Sequence, residues 1–507
     1  MTNLTKDTIC LNETVLNTVT EQAVELDYLL PDYYPDIFKL LKTRIIPKIQ
    51  SKKTSGGKLY LDGVSLIRVL YLTENSTEIH CIEQTIPFSK QLDLKGEYED
   101  TDIFVTSKCY FVNARAVSPR RLDIRGGISC KVIVTCPKEI HSVKGGEGNG
   151  MQFHLTPVTI CDLRKYAFKQ FTVTEELSLG STKKGVGNIL NYHVTAIPTD
   201  YKIISNKIIC KGDLLIHLLC ISKENATPET LDFSVPISQI ADVPGIDEDY
   251  SSSVTFDVVS ATFTPNDETL SLNCEFVINL SCNADKNKEI LIADDVYSTQ
   301  YELSAVSSQV DVTSHLCSLN KEYIVKHSLK TDTDDSIAGV YDAFATVTDS
   351  GIKCENDTLS VNGTLELCAL CFKADNTPFV LEKTLPFEVP LDFNNCKDIH
   401  FTPSCEVVNL SFNIISGDTL ELRTKLYIGG NVYKKTPLNL ITDISPDEEE
   451  KKVTPPYALH LYYASQGESL WNIAKKFNTR MTAVMEENSL DTEILQEDIM
   501  LLIPVIN

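Results

Sequence analysis

Three glycines constrain this chain more than any other feature. Gly63, Gly212 and Gly363 each follow a short strand-like run and precede a longer one, spaced by 149 and 151 residues. The stretches around them align: "LYLDGVSLIRVLYLTENSTEIHCIEQTIPF", "IICKGDLLIHLLCISKENATPETLDFSVPI" and "LSVNGTLELCALCFKADNTPFVLEKTLPF". A proline follows each glycine, Pro87 and Pro236 at 24 residues and Pro386 at 23. A fixed period of this kind means one supersecondary unit copied along the chain.

A second block recurs within each unit as paired alternating runs joined by a polar turn, the pattern of antiparallel hairpins. Leu122, Leu270 and Leu420 are read as opening its return strands. Side chains alternate across a strand with period two. Counted from the glycine, one face reads Ser65-Ile67-Val69-Tyr71, Leu214-Ile216-Leu218-Cys220 and Leu365-Leu367-Ala369-Cys371. The other face is broken at its centre by a residue that varies: Arg68, His217 or Cys368. One apolar and one interrupted face predict a mainly β chain of three β-sandwich-like repeats, about 150 residues each.

Composition shifts between the units set the expected boundaries. Residues 1–20 read as a loose polar lead, 21–142 as the first repeat, and 143–165, opening on "VKGGEGNG", as a linker. The second repeat is expected over 166–295 and the third over 296–441. An acidic, proline-bearing linker over 442–457 then leads to a small module over 458–507.

The formal charge of −24 opposes nucleic acid and anionic lipid, both of which are bound by cationic surfaces. The N-terminus lacks the basic start and apolar core of a secretory signal, and no run approaches the ~18 apolar residues of a membrane span. Sixteen cysteines are therefore read as reduced thiols of a cytosolic chain.

Catalytic signatures are weak. Cys368-Ala369-Leu370-Cys371 is a CxxC inside a strand, where positions i and i+3 face opposite ways, so packed thiols are expected. His217 lies on an apolar strand with no carboxylate near it in sequence, and reads as a satisfied or half-exposed histidine. Neither HExxH nor GxSxG occurs, and "KGGEGNG" lacks the strand-to-helix context of a phosphate loop. The expectation is a protein without enzymatic activity, metal or cofactor.

Two segments invite a binding role. "DYYPDIFKLL" concentrates aromatic and acidic residues between Pro31 and Asp36, either as a turn leading into a short helix from Ile37 or as a docking motif built on Asp32, Tyr33, Tyr34 and Asp36. The terminal module carries the only tryptophan, Trp471. Its strand over Leu459–Tyr463, a helix capped by Ser469, a second capped by Thr479 and a strand ending at Pro504 give the order βααβ.

From Gln466 to Ala474 the module resembles the Gly-Asp-Thr-Leu-Trp-x-Ile-Ala motif of LysM domains, with Asn488 and Leu501–Pro504 at matching positions. The resemblance implies a groove for N-acetylglucosamine polymers between Gly467–Leu470 and Asn488–Leu490. Glu497-Asp498 stands where the family has Pro-Gly. "ELDYLLPDYYPDIFKLL" is similar to the signature of SPOCS domains of spore coat proteins. SPOCS domains followed by one LysM resemble coat morphogenetic proteins of endospore formers. The resemblance implies a mother-cell protein at the forespore surface that tethers coat layers and docks the coat-basement ATPase through LysM. The expected ligand or partner surface comprises Gly467, Glu468, Ser469, Leu470, Trp471, Lys475, Lys476, Asn488, Ser489 and Leu490. A peptidoglycan or chitin-like glycan is the other expected ligand of that surface.

Overall fold

The computed structural model describes residues 3–505 except 75, 163, 181–184, 224–226, 267–269, 332–335, 395 and 454–455. Its architecture is mainly β, and three consecutive units share one strand plan. The first comprises β1 (Asn3–Leu29), β2 (Lys39–Ser55), β3 (Lys58–Leu72), β4 (Ile79–Asp93), β5 (Asp102–Ser118) and β6 (Arg121–Glu147). Its inner sheet has the order β2-β3-β4 and its outer sheet β1-β6-β5, all antiparallel. The second comprises β7 (Met151–Cys161), β8 (Lys165–Ser178), β9 (Val186–Ile204), β10 (Lys207–Ser222), β11 (Pro228–Asp242), β12 (Ser251–Asn266), β13 (Ser271–Asp285) and β14 (Asn287–Ser298). Here breaks divide each long outer strand in two, giving sheets β9-β10-β11, β8-β13-β12 and β7-β14. The third comprises β15 (Tyr301–Lys330), β16 (Gly339–Glu355), β17 (Thr358–Phe372), β18 (Pro378–Asn394), β19 (Ile399–Phe401), β20 (Ser404–Ser416) and β21 (Thr419–Lys451). β16-β17-β18 form its inner sheet, and β15 and β20 flank β21 in the outer one.

The glycine signature has a steric cause. In each repeat the neighbouring strand carries a register shift near the glycine. A bulge of this kind pushes its backbone toward the central strand. A Cβ on Gly63 would lie 2.6 Å from the Lys48 carbonyl, and one on Gly212 2.6 Å from that of Ile197. At Gly363 the Asp349 carbonyl takes the same place. On the other side Gly63 is paired with Phe88 and Gly363 with Phe387, whose rings lie over the missing side chain. The proline that marks each repeat immediately precedes that paired residue.

The face assigned to the core is buried in all three repeats, from Ser65, Ile67, Val69 and Tyr71 to Cys371. The interrupted face is largely covered as well, with Arg68, Leu70, Leu219, Cys368 and Leu370 buried and the rest half-buried, because the inner sheets close into a ring. β4 packs on β9, β11 on β16, and β18 on β2. At its centre the equivalent leucines Leu70, Leu219 and Leu370 meet in one apolar cluster. Each buried leucine contributes about 1.5–3 kcal/mol.

Beyond the sandwiches the long outer strands continue as three ladders that pack together. Val143, Met151, Ala293, Val296, Ile441 and Ile444 form one layer, and Ile9, Ile160, Ile292, Val312 and Leu440 another. Five of these, Ile9, Val143, Met151, Ile160 and Ile444, lie in segments whose overall composition reads as lead and linker, which corrects three expectations. The lead from Asn3 is the start of β1, the connector at 143–147 is the end of β6, and 442–451 is the end of β21. Residues 1–2, 163 and 454–455 of those segments lie outside the described residues. The expected boundary at 295/296 falls inside β14. Leu270 is also displaced: it occupies a left-handed turn, and Leu272 takes the buried place equivalent to Leu122 and Leu420. Cys354 and Cys396, expected as thiols, are joined in a disulfide across a Cα–Cα distance of 6.0 Å, and the other fourteen cysteines form no disulfide.

Candidate functional site

The terminal module runs β22 (Leu459–Ala464), α1 (Leu470–Lys476), α2 (Met481–Asn488) and β23 (Ile499–Pro504), the expected βααβ order. Ser469 caps α1 by accepting from the Trp471 N–H at 3.2 Å. Thr479 does not cap α2; it is fully buried and donates to the Pro504 carbonyl at 2.6 Å. The two groove loops are tied together by Gly467 N–H to Leu495 O and Leu470 N–H to Glu493 O, at 2.9 and 2.8 Å. Asp498, in place of the expected glycine, accepts from the Gln466 N–H at 2.8 Å and helps close the pair.

The ten expected surface residues divide. Gly467 and Ser489 lie open on the surface, and Lys476 stays outward over the Tyr462 ring at 4.7 Å. Glu468 accepts locally from Tyr462 and Ser465. Leu470 is wholly buried in the module's core, where Leu490 packs against it from the edge. Asn488 is structural: it bridges the Val484 carbonyl and both backbone groups of Leu502 at 2.7–2.8 Å. Those bonds leave its amide committed to the fold.

Trp471 corrects the expectation most. It is only 5% exposed, because the helix face that carries it is seated on the second repeat. Its indole N–H donates to Asp295 Oδ2 at 2.8 Å, and Lys475 Nζ reaches both oxygens of the same carboxylate at 2.7 Å. The Tyr297 ring meets the indole edge-on at 4.8 Å, and its hydroxyl donates to the Thr479 carbonyl at 2.7 Å. His154 bridges Asp294 at 2.6 Å and Glu493 at 2.8 Å, and its ring lies 5.1 Å from the indole. Burial alone would raise the Asp295 carboxyl; its bonds to Lys475 and Trp471 outweigh this and hold it below its ordinary value. Burial lowers His154, and the Asp294 and Glu493 carboxylates outweigh that to hold it above its ordinary value. The acceptors come from a bulge: the register of β14 on β7 shifts between Ala293 and Asp295, re-aiming two consecutive aspartates. The signal lay in "ADDVY", an adjacent acid pair that interrupts an alternating strand.

Residues 36–117 and 185–266 match the family described as SipL, SPOCS domain, and residues 462–504 match the LysM domain. The chain joins two SPOCS domains to a LysM domain. Each SPOCS match spans the four strands from the inner sheet to the short outer one, β2–β5 and β9–β12, and the third repeat follows the same plan. No curated protein and no solved structure matches the chain. The two domain types mark a sporulation-related protein that carries a glycan-binding type of domain.

In the first SPOCS domain the "DYYPD" segment is a pinned turn with no helix after it; β2 begins at Lys39. The Arg120 guanidinium donates to the carbonyls of Leu30, Pro31 and Tyr34 and to Asp36 at 2.7–3.3 Å. Tyr71 donates to the Pro35 carbonyl at 3.1 Å. Tyr34 packs on the core, while Asp32 points outward and Tyr33 is 79% exposed.

Arg68 and His217 of the varying column reach across the ring's junctions, while the third junction is made by residues beside Cys368 rather than by Cys368 itself. Arg68 donates to Asn191 Oδ1 at 2.8 Å, across from the first repeat to the second. His217 is held between Asp232 at 2.6 Å and Asp342 at 2.8 Å, from the second repeat to the third. Asp232 is its cross-strand partner and Asp342 lies in the next repeat, so both carboxylates were hidden by sequence distance. Lys42 of the first repeat meets Glu366 and Glu382 of the third, closing the ring. Cys368 and Cys371 are buried, and burial pushes both thiols up to about 12. No cluster of three metal-ligating side chains occurs among the described residues, and no helix there is long and apolar enough to cross a membrane.

Proposed function

We propose that this SPOCS–LysM chain is a non-enzymatic morphogenetic protein of spore coat assembly, working from the mother-cell cytosol at the forespore surface. It tethers coat layers by protein–protein contacts, and its LysM domain docks the ATPase of the coat basement layer. The observation that carries the reading is the occupant of the LysM helix face: a protein strand, gripped through Asp295 and Tyr297. A face that grips one strand in this way is suited to protein recognition. Pinned aromatics such as Tyr33 supply further contact points at low entropic cost.

A full-length fluorescent fusion followed through sporulation tests the proposal. It is expected to ring the forespore; a signal that stays diffuse throughout refutes it. Glycan binding is the second reading, favoured by the LysM match and by the open space in front of Gly467. Saturable binding of the full-length protein to purified sacculi, competed by chitin oligomers, would replace ATPase docking with that reading.

A further inference from the structure

The LysM helix face has the chemistry of a carboxylate receptor. An indole N–H and a lysine ammonium converge on one carboxylate, and an aromatic ring two residues later fills the space beside the indole. In an extended strand, residues i and i+2 point the same way, so Asp295 and Tyr297 reach the face together. We propose that this face recognises an extended acidic–aromatic strand, an aspartate or glutamate followed two residues later by an aromatic residue, and that β14 of the same chain is its resident occupant. A partner protein presenting such a strand competes for the same seat. The inference rests on reading the module as a protein-binding domain, and it names the chemistry of what is bound.

The module brings most of its own apolar interior to this seat. Its interior is built from its own Ala464, Leu470, Ile473, Ala474, Val484, Leu495, Leu501 and Ile503, with Tyr297 the one buried contribution from outside. The Lys475–Asp295 pair remains partly open to water at its rim. A resident strand competes at the effective concentration its tether sets, on the order of millimolar. An external strand therefore meets a receptor that is only fractionally vacant, and its apparent affinity falls by that fraction. Removing the resident carboxylate is then expected to tighten external binding, by about tenfold or more.

Trp471 is the only tryptophan, so its emission reports the seat in the full-length protein. The probes are an acetylated peptide of sequence Ile290–Ser298 and the same peptide with asparagine in place of the residue corresponding to Asp295. The Asp295→Asn chain is expected to show red-shifted, acrylamide-accessible emission. The first peptide should reverse that shift saturably, and the asparagine peptide should bind at least about tenfold more weakly. Lys475→Met, altered from the other side, should lose peptide binding with unchanged far-ultraviolet circular dichroism. The proposal is overturned by Asp295→Asn emission that stays as buried as in the parent, or by equal binding of the two peptides. If either happens while the fusion still rings the forespore, this inference alone fails. Peptide binding with no forespore ring refutes the assigned function and leaves the receptor chemistry standing.

Discussion

His217 is where charge and assembly are most tightly linked. Its ring carries a proton between Asp232 and Asp342, and Asp342 is only 1% exposed with its second oxygen unpartnered. Burial lowers the imidazole, yet the hydrogen bond and charge of Asp342, followed by those of Asp232, raise it from 6.5 to about 9. At about 1.36 kcal/mol per unit this is roughly 3 kcal/mol, and about 2 once water on the Asp232 side screens the pair. The folded-state value lies above the unfolded one, so the bridge stabilises fully below pH 6.5 and is lost as pH rises through about 9. Denaturant unfolding of the parent should therefore lose about 2 kcal/mol between pH about 6 and about 10 that a His217→Gln chain does not lose. At pH about 6 the substitution itself should cost about 2–4 kcal/mol, because it leaves the buried Asp342 carboxylate without its hydrogen-bonded cation. Adding Asp342→Asn should return at least about 1 kcal/mol of that loss. Two results would refute the reasoning: a double-mutant cycle additive within about 0.5 kcal/mol, or parallel pH profiles for the parent and His217→Gln.

Other substitutions probe the remaining devices. Gly63→Ala should cost about 1–3 kcal/mol by forcing a Cβ against the Lys48 carbonyl and the Phe88 ring, and a matching denaturation midpoint would show instead that the strands give way freely. Arg120→Ala strips donors from three carbonyls of the Leu30–Asp36 turn, so hydrogen exchange there should speed up markedly while that of β13 stays unchanged. Native Cys368 and Cys371 should resist alkylation that modifies them fully in denaturant, since both thiols are pushed up to about 12. Reduction should add two alkylatable thiols, Cys354 and Cys396, and destabilise the third repeat by about 2–4 kcal/mol in thermal unfolding.

The strands were legible because period two, the glycine spacing and the prolines all express local requirements. Gly63 and Phe88 are cross-strand partners, so their sequence separation records a register. The LysM helices were legible for the same reason, from Leu470, Ile473 and Ala474 in one stripe. What stayed hidden depended on chain segments distant in sequence. Asn3–Glu13 looks like a polar lead until β6 pairs with it and Ile9 meets Ile160. Trp471 looks like a solvent-facing groove residue until Asp295, 176 residues earlier, arrives beneath it. His217 looks unaccompanied until the ring brings Asp342 from the next repeat.

The ring also explains why Arg68 and His217 differ at the centre of strands that otherwise repeat. Three sandwiches of the same plan could stack in several orders or join copies from different chains, since apolar leucines alone do not distinguish neighbours. Each junction here uses a different polar pairing. Arg68 addresses an asparagine carbonyl and stacks on the Tyr192 ring, His217 addresses a buried carboxylate, and two glutamates address Lys42. A misplaced repeat would bring Arg68 against the site shaped for His217, or leave buried Asp342 without its hydrogen-bonded cation, and either costs several kcal/mol. Exchanging the column between repeats, as Arg68→His with His217→Arg, should therefore destabilise the chain by more than either the apolar contacts or the residue types predict. The same composition in the wrong column would fold to a less cooperative ring, visible as separate unfolding transitions of the repeats.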